Sequence, residues 1–296
     1  MNTGSPKLKI LISGKTGQVA RELQIRLADL GELVVLGRDE LDLSQPEHIR
    51  AQVQAHAPDL IIIAAAYTAV DQAESEPEVA NAINATAPGI FAEEAKKLGV
   101  PLIYYSTDYV FDGTKEGAYT EDDATNPLNV YGQSKLLGEK AIAATGCDHL
   151  ILRTSWVYSS HGKNFLLTMQ RLLQEKPELR IEADQIGAPT WAGTIAHSTR
   201  QLIERWQAGA AAAWGTYHLT ARGETSWFGF AQAIGEQLLA MDKPCALLQA
   251  IPSSAYPTPA KRPLNSRLDC SRLADQWHVT QPDWHTALRE CLAEQG

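Results

Sequence analysis

Five short β-type apolar runs, Lys7 to Ser13, Leu33 to Leu36, Leu60 to Ala65, Leu102 to Ser106 and Leu150 to Thr154, alternate with helix-period stretches through the first half of the chain. The helical stretches are Gln18 to Leu30, Pro46 to Ala57, Val79 to Leu98 and Val130 to Ala144. That alternation is the pattern of a parallel sheet with helices on both faces. Ser44, ahead of Pro46 and Glu47, predicts a capped helix start with proline in the first turn. After Ser155 the pattern loosens into helices near Asn164 to Glu175 and Thr194 to Gln207, a short β run at Tyr217 to Thr220 and a further helix from Ser226. Pro252, Pro257, Pro259 and Pro263 then punctuate a segment that also holds Lys261 and Arg262, which reads as an ordered loop packed over a site.

At 296 residues the chain allows one large or two medium domains. Apolar residues at 44% and charged residues at 21% exclude disordered and coiled-coil classes. The longest apolar run, Leu60 to Tyr67, falls far short of the roughly 18 residues that span a membrane. With 26 basic and 35 acidic residues the formal charge is -9, a field that attracts neither nucleic acid nor an anionic membrane. The 4 cysteines form no C-x-x-C pair and the 8 histidines no H-E-x-x-H, so no zinc site or disulfide framework is indicated. The stretch Met1 to Lys7 lacks the apolar core of a secretion signal, and a cytoplasmic, reducing location is expected.

In Ile10-Leu-Ile-Ser-Gly14-Lys-Thr-Gly17-Gln-Val-Ala20 the glycines stand where a buried strand turns into a helix. Backbone N–H groups and the helix dipole can there face a pyrophosphate. Gly14, Gly17, Gln18 and Val19 are the candidate cradle, and Ala20, in the place of a third glycine, is small enough for close helix-to-strand packing. An ordinary tight turn is the alternative reading. A P-loop is excluded because Lys9 occupies the position of its first glycine. Where an acid would hold the ribose hydroxyls of NAD stand Gly37 and Arg38, so Arg38 is expected to pair the 2′-phosphate of NADPH, with Asp39 beside it as a competing partner. The fold expected is α/β: a doubly wound parallel sheet of Rossmann type over 1–155, with parts of 188–220 returning to it, and a smaller, interleaved α/β substrate-binding domain from 156–187 and 221–296.

Tyr131 and Lys135, four residues apart, share one face of the helix after the fourth strand, on the side where such sheets bind cofactors. A carbonyl that receives a hydride must also be protonated, yet a free tyrosine has a pKa near 10. An ammonium about 4 Å away, at an effective dielectric near 20, would lower that by about three units, into the useful range. In Tyr104-Tyr-Ser-Thr107-Asp108 a strand ends in hydroxyl residues at the same edge, and Thr107 could donate a hydrogen bond to the carbonyl. A strand-end cap is its alternative reading.

These residues, with Ala64-Ala-Ala-Tyr-Thr-Ala-Val-Asp71, Tyr105-Ser-Thr-Asp-Tyr-Val-Phe111, Pro127-Leu-Asn-Val-Tyr-Gly132, Arg153-Thr-Ser-Trp-Val-Tyr158, Gly187-Ala-Pro-Thr190 and Ser253-Ser-Ala-Tyr-Pro-Thr-Pro259, carry a resemblance from about Lys9 onward. The chain resembles the extended short-chain dehydrogenase/reductase family, and within it the enzymes that reduce dTDP-4-dehydro sugars. The resemblance implies hydride transfer from NADPH, or NADH, to the C4 ketone of dTDP-4-dehydro-L-rhamnose, the last step of dTDP-rhamnose biosynthesis. It implies Thr107, Tyr131 and Lys135 as catalytic residues, Lys135 also holding the nicotinamide ribose. Asp42 and Leu43 would line the adenine, Ala65, Ala66, Tyr67 and Thr68 the cofactor beyond the third strand, and Tyr105 the nicotinamide side. Thr107, Asp108 and Trp156 match positions that contact the sugar.

Lys261, Arg262 and Arg267 form a basic cluster in an acidic chain, and Arg262 or Arg267 is expected on the substrate diphosphate. Some bacterial members place a glutamate after Gly-Ala-Pro-Thr in a magnesium-bridged dimer. Here the stretch is Trp191-Ala-Gly-Thr194, so that magnesium is in doubt and a monomer or weak homodimer is expected. Dehydratases of the family follow the threonine with Asp-Glu, whereas Asp108 is followed by Tyr109, which favours reduction over elimination. Another nucleotide-sugar reductase or epimerase, or a non-catalytic regulatory subunit, remains the alternative.

Overall fold

The computed structural model describes residues 7–209 and 213–294; of the polar stretch Met1 to Lys7 only Lys7 falls within them. β1 (Leu8–Ser13), β2 (Gly31–Leu36), β3 (Leu60–Ile63), β4 (Leu102–Thr107) and β5 (His149–Thr154) pair in parallel. Beyond them come β6 (Val157–Tyr158), β7 (Glu178–Glu182), β8 (Ile186–Gly187), β9 (Thr190–Trp191), β10 (Gly215–His218), β11 (Thr225–Ser226) and β12 (Leu247–Ile251). β10 joins the main sheet, whose order is β10-β5-β4-β3-β1-β2. The chain leaves β1 toward β2 and returns on its other side as β3, which opens a crevice beyond the carboxyl ends of β1 and β3.

The helices are α1 (Gln18–Arg26), α2 (Pro46–His56), α3 (Val70–Ala73), α4 (Pro77–Asn81), α5 (Ala87–Leu98), α6 (Val130–Thr145), α7 (Phe165–Glu175), α8 (Ala192–Gln207), α9 (Trp227–Ala240), α10 (Ser271–Trp277) and α11 (Trp284–Ala293). The period of two divides the strand residues between the faces. Ile10, Ile12, Leu60 and Ile62 meet Leu23 of α1, Ile195 of α8 and Trp277 of α10 on one face. Leu11, Ile61 and Ile63 meet Val53 of α2, Phe91 of α5 and Ile142 of α6 on the other. Each such side chain, fully buried, is worth about 1.5–3 kcal/mol. A further core joins Tyr158, Leu166, Phe230, Trp284 and Leu288 from the second half of the chain. Around it β7 pairs with β12, β8 with β11 and β6 with β9.

Three local expectations change. Ser44 does not cap α2: its hydroxyl and N–H both donate to Asp42 Oδ1, at 2.7 and 2.9 Å, and Gln45 holds the cap position. The aspartate two residues back captures the serine in a side-chain turn before the helix begins. The stretch Val79 to Leu98 is not one regular helix but α4, a π-helical turn at Ala82–Thr86, and α5. Pro88 lacks the N–H that would bond the Asn84 carbonyl, and that carbonyl accepts the Tyr104 hydroxyl at 3.0 Å instead. β10 ends at His218 rather than Thr220, because Leu219 N–H still bonds the Arg153 carbonyl but the ladder stops there.

Candidate active site

The glycine turn lies at the crevice. Gly14 has φ +97°, and a Cβ there would sit 3.0 Å from the Ala65 nitrogen at the end of β3. The N-terminus of α1 has no side-chain cap, so no side chain of this chain occupies its first N–H groups, and a Cβ on Gly17 would meet nothing within 4 Å. Ala20 is fully buried against the sheet, which its small size permits. These features fit a dinucleotide pyrophosphate. Val19 packs on the core, while Gln18 turns its carbonyl oxygen to the Ser159 hydroxyl at 3.0 Å and the Asn164 amide at 2.8 Å, tying α1 to the start of α7.

Arg38 is exposed and makes no hydrogen bond or ion pair among the described residues, so its guanidinium is available. The acid that folds back over this turn is Glu40, which accepts from Gly37 N–H at 2.9 Å and pairs with Lys15 at 3.6 Å. Asp42 stands in the turn with Ser44, and hydrogen bonds from Ser44 hold its carboxyl below the usual range, aided by Arg38. Leu43 is buried in the core beside α2. Beyond β3, Ala65 and Ala66 are half-buried and Thr68 exposed. Tyr67 is clamped through its main chain by Asn84, whose amide accepts from its N–H at 2.8 Å and donates to its carbonyl at 2.9 Å.

Thr107, Asp108, Tyr131 and Lys135 come together at the carboxyl end of β4. Asn129 caps α6, its Oδ1 accepting from Gly132 N–H at 2.8 Å, and Glu74 accepts from Val130 N–H at 2.8 Å. The Thr107 hydroxyl contacts the Tyr131 phenol and donates to Asp108 Oδ1 at 3.1 Å. Burial pushes Tyr131 up to about 12, which keeps the phenol protonated at neutral pH. Burial likewise raises Asp108 to about 7, against hydrogen bonds from Ser266 and Thr107, and its Oδ2 has no partner among the described residues.

Lys135 is where sequence and structure part. Its ammonium is directed not at Tyr131 but at the Tyr105 carbonyl, 2.6 Å away, and over the Tyr104 ring, 3.9 Å from the centroid. Burial lowers its pKa to about 7, with Glu139 opposing. The expected lowering of the Tyr131 pKa is therefore absent, because burial dominates the phenol and the ammonium has its own acceptor. Tyr105 itself turns its hydroxyl away, to Thr199 at 2.7 Å, and offers the site only its carbonyl.

Trp156 has φ +49° and stacks on Trp227 with centroids 3.7 Å apart. A Cβ on Gly187 would come within 2.8 Å of its indole. Trp227 donates to Gln185 at 3.1 Å, and Gln185 donates to Ser253 of the proline-rich segment at 2.9 Å. That segment borders a cleft of about 300 Å³ lined by Leu128, Glu182, Tyr256, Lys261 and Arg262. Arg267 does not line it: Arg267 donates to Asn265 at 2.8 Å and faces Glu224 at 3.4 Å. Among the described residues no group of three or more His, Cys, Asp or Glu side chains is arranged to hold a metal ion. Sequence reasoning missed Asn84, Glu139 and Trp227; only the polar Asn84 within an otherwise apolar helix left a visible sign.

The family model described as "RmlD substrate binding domain" matches residues 8–296. A dTDP-4-dehydrorhamnose reductase of Burkholderia thailandensis is 47% identical over 97% of this chain and 99% of its own. One from Escherichia coli K12 is 45% identical over 97% and 98%. A crystal structure of the Bacillus anthracis dTDP-4-dehydrorhamnose reductase in complex with NADP superposes with a TM-score of 0.90 at 32% identity, covering 97% of this chain and 99% of that one. With its glycine turn, its Thr107, Tyr131 and Lys135 and this full-length similarity, the chain belongs to the RmlD substrate binding domain family.

Proposed function

We propose that the protein reduces the C4 ketone of dTDP-4-dehydro-L-rhamnose to dTDP-L-rhamnose with NADPH, the last step of dTDP-rhamnose biosynthesis. The observation that carries this reading is the meeting of Thr107, Tyr131 and Lys135 at the carboxyl edge of the sheet beside the glycine turn. The names of the relatives and the NADP in the Bacillus anthracis structure support it. Bound NADPH supplies the hydride.

The chain's own residues do the rest. The N–H groups of α1 and Arg38 hold the phosphates, and Ala66, Tyr67 and Thr68 wall the cofactor. Tyr131, kept protonated by burial, delivers a proton to the carbonyl oxygen. Thr107 orients that phenol and hydrogen-bonds the same oxygen, and Lys135 binds the nicotinamide ribose. Asp108 and Trp156 take the sugar ring, and Arg262 the diphosphate, with Arg267 more remote. Tyr109 packs edge-on to Tyr131 at 5.7 Å in the place of a dehydratase's glutamate, which supports reduction rather than elimination.

The division into a cofactor domain (1–155 with parts of 188–220) and a substrate domain (156–187 and 221–296) belongs to this proposal. So do a monomer or weak homodimer and a cytoplasmic site, the last supported by free Cys147, Cys245, Cys270 and Cys291. The test is NADPH oxidation with the 4-keto sugar nucleotide by wild type and Tyr131→Phe. Turnover falling about 100-fold or more in the variant, with cofactor binding retained, is the expected result. A wild type that binds NADPH but turns nothing over sinks the reading and favours a non-catalytic role.

A further inference from the structure

Behind Lys135 lie two buried charges that the reduction does not use. Glu139 on α6 and Arg153 on β5 are each 5% exposed. Arg153 grips both carboxylate oxygens, Nε to Oε1 at 2.9 Å and Nη2 to Oε2 at 2.7 Å, and the Ser106 hydroxyl of β4 donates to Oε1 at 2.5 Å. Such a pair removed from water adds little net stability over an apolar replacement, so stability alone does not account for it. Tyr131, Lys135 and Glu139 follow at intervals of four on one helix face, so whatever fixes the roll of α6 at Glu139 fixes all three. Gly138 allows the approach, since a Cβ there would meet the Asn84 carbonyl at 2.1 Å.

We infer that Glu139 is a positioning residue for the reduction: clamped by Arg153 and Ser106, it sets the orientation of α6 and places an anion one helical turn from the Lys135 ammonium. Lys135 faces the Tyr104 ring and the Tyr105 carbonyl on β4, and the anion that acts on it is Glu139 on its own helix, whose carboxylate also holds the Arg153 cation of β5. Of the carboxylates on other elements packed on α6, Asp71 holds Arg262, Glu74 the Val130 N–H and Glu76 the Tyr67 hydroxyl, Glu93 holds Arg50, Glu94 holds Arg50 and Lys97, and Glu78 is exposed to solvent. Asp108 accepts from the Thr107 hydroxyl and acts on Tyr131 rather than on Lys135.

The kinetic side of this inference rests on the proposed reduction; the titration side does not. The full-length protein, carrying isotopically labelled lysine and with Lys135 assigned from Lys135→Met, is titrated by NMR as wild type, Glu139→Gln, Glu139→Asp and Glu139→Gln/Arg153→Gln. The double variant leaves no unpaired buried charge, and where the single variant fails to fold it tests the positioning of α6 through kcat rather than through the Lys135 midpoint, because it removes a cation together with the carboxylate. The Lys135 midpoint is expected to fall by about one pH unit in Glu139→Gln, to move little in the double variant, and to hold in Glu139→Asp. The alkaline limb of kcat moves to lower pH with it, KM changing less. An unmoved Lys135 midpoint in folded Glu139→Gln, or an unchanged kcat in the double variant, overturns the inference. Absence of turnover by the wild type would overturn the reduction alone, leaving the titration to decide the role of Glu139.

Discussion

Arg262 closes on Asp71 across 191 positions of sequence, Nη2 to Oδ2 at 2.8 Å and Nη1 to Oδ1 at 3.1 Å, and in doing so pins the proline-rich segment against α3. Nη1 also donates to Thr258 Oγ1 at 2.6 Å and to the Ala260 carbonyl at 3.1 Å. The guanidinium thus orders the cleft wall as well as charging it. Arg262→Ala is expected to raise KM for the nucleotide sugar about tenfold, with kcat changed little. Asp71→Asn, which keeps the positive charge, should raise it less, and Arg267→Ala only about twofold. Steady-state kinetics at fixed NADPH measures all three.

Gly14 combines a left-handed backbone with a close approach to Ala65. A side chain there meets backbone that cannot swing aside, and the φ alone costs about 1–3 kcal/mol in any other residue. Gly14→Val should weaken NADPH binding by about tenfold or more and lower Tm. Gly17→Ala, whose added methyl meets nothing, should leave Tm close to wild type. Calorimetric titration and thermal melts check the pair.

On the proposed reading, cofactor choice turns on Arg38, an exposed arginine with no competing ion pair among the described residues. Arg38→Ala is expected to cut the ratio of kcat/KM for NADPH over NADH about tenfold, the scale of one lost charge-assisted phosphate contact. The effect should shrink at high salt, since the residue lies in solvent.

Asp108 predicts a pH dependence of stability. Its folded pKa of about 7 stands above the ordinary value of 3.8 that it regains on unfolding, so the folded state holds the proton more tightly. The stabilisation this gives is complete below about pH 4 and is lost as pH rises to about 7, at about 1.4 kcal/mol for each pH unit crossed between the two values. Asp108→Asn removes the ionisable group. Its Tm relative to wild type is therefore expected to climb by several degrees between about pH 4 and pH 8. A flat difference would show that the carboxyl is solvated when charged.

The parallel pairing of β1 to β5 is legible in the sequence because strand-length runs alternate with helix-length stretches, and the helix face of Tyr131 and Lys135 because it depends on a spacing of four along the chain. The glycine turn is legible because its context, strand before and helix after, is local. What escapes depends on partners far apart in sequence. Asn84 acts through Tyr67, and Glu139 through Ser106 and Arg153. The direction of the Lys135 ammonium escapes for the same reason: spacing locates a side chain on a face but says nothing of the carbonyl waiting on the adjacent strand. Ser44 shows the converse, a local cap signal displaced by Asp42 only two residues away.

Asn129 uses the two ends of one amide differently, its oxygen on the Gly132 N–H and its nitrogen on the Lys261 carbonyl at 2.7 Å. The segment that borders the cleft and the first turn of α6, which bears Tyr131, are thereby tied to one side chain. On the proposed reading, that one amide is the direct link between the segment beside the substrate and the turn that carries Tyr131.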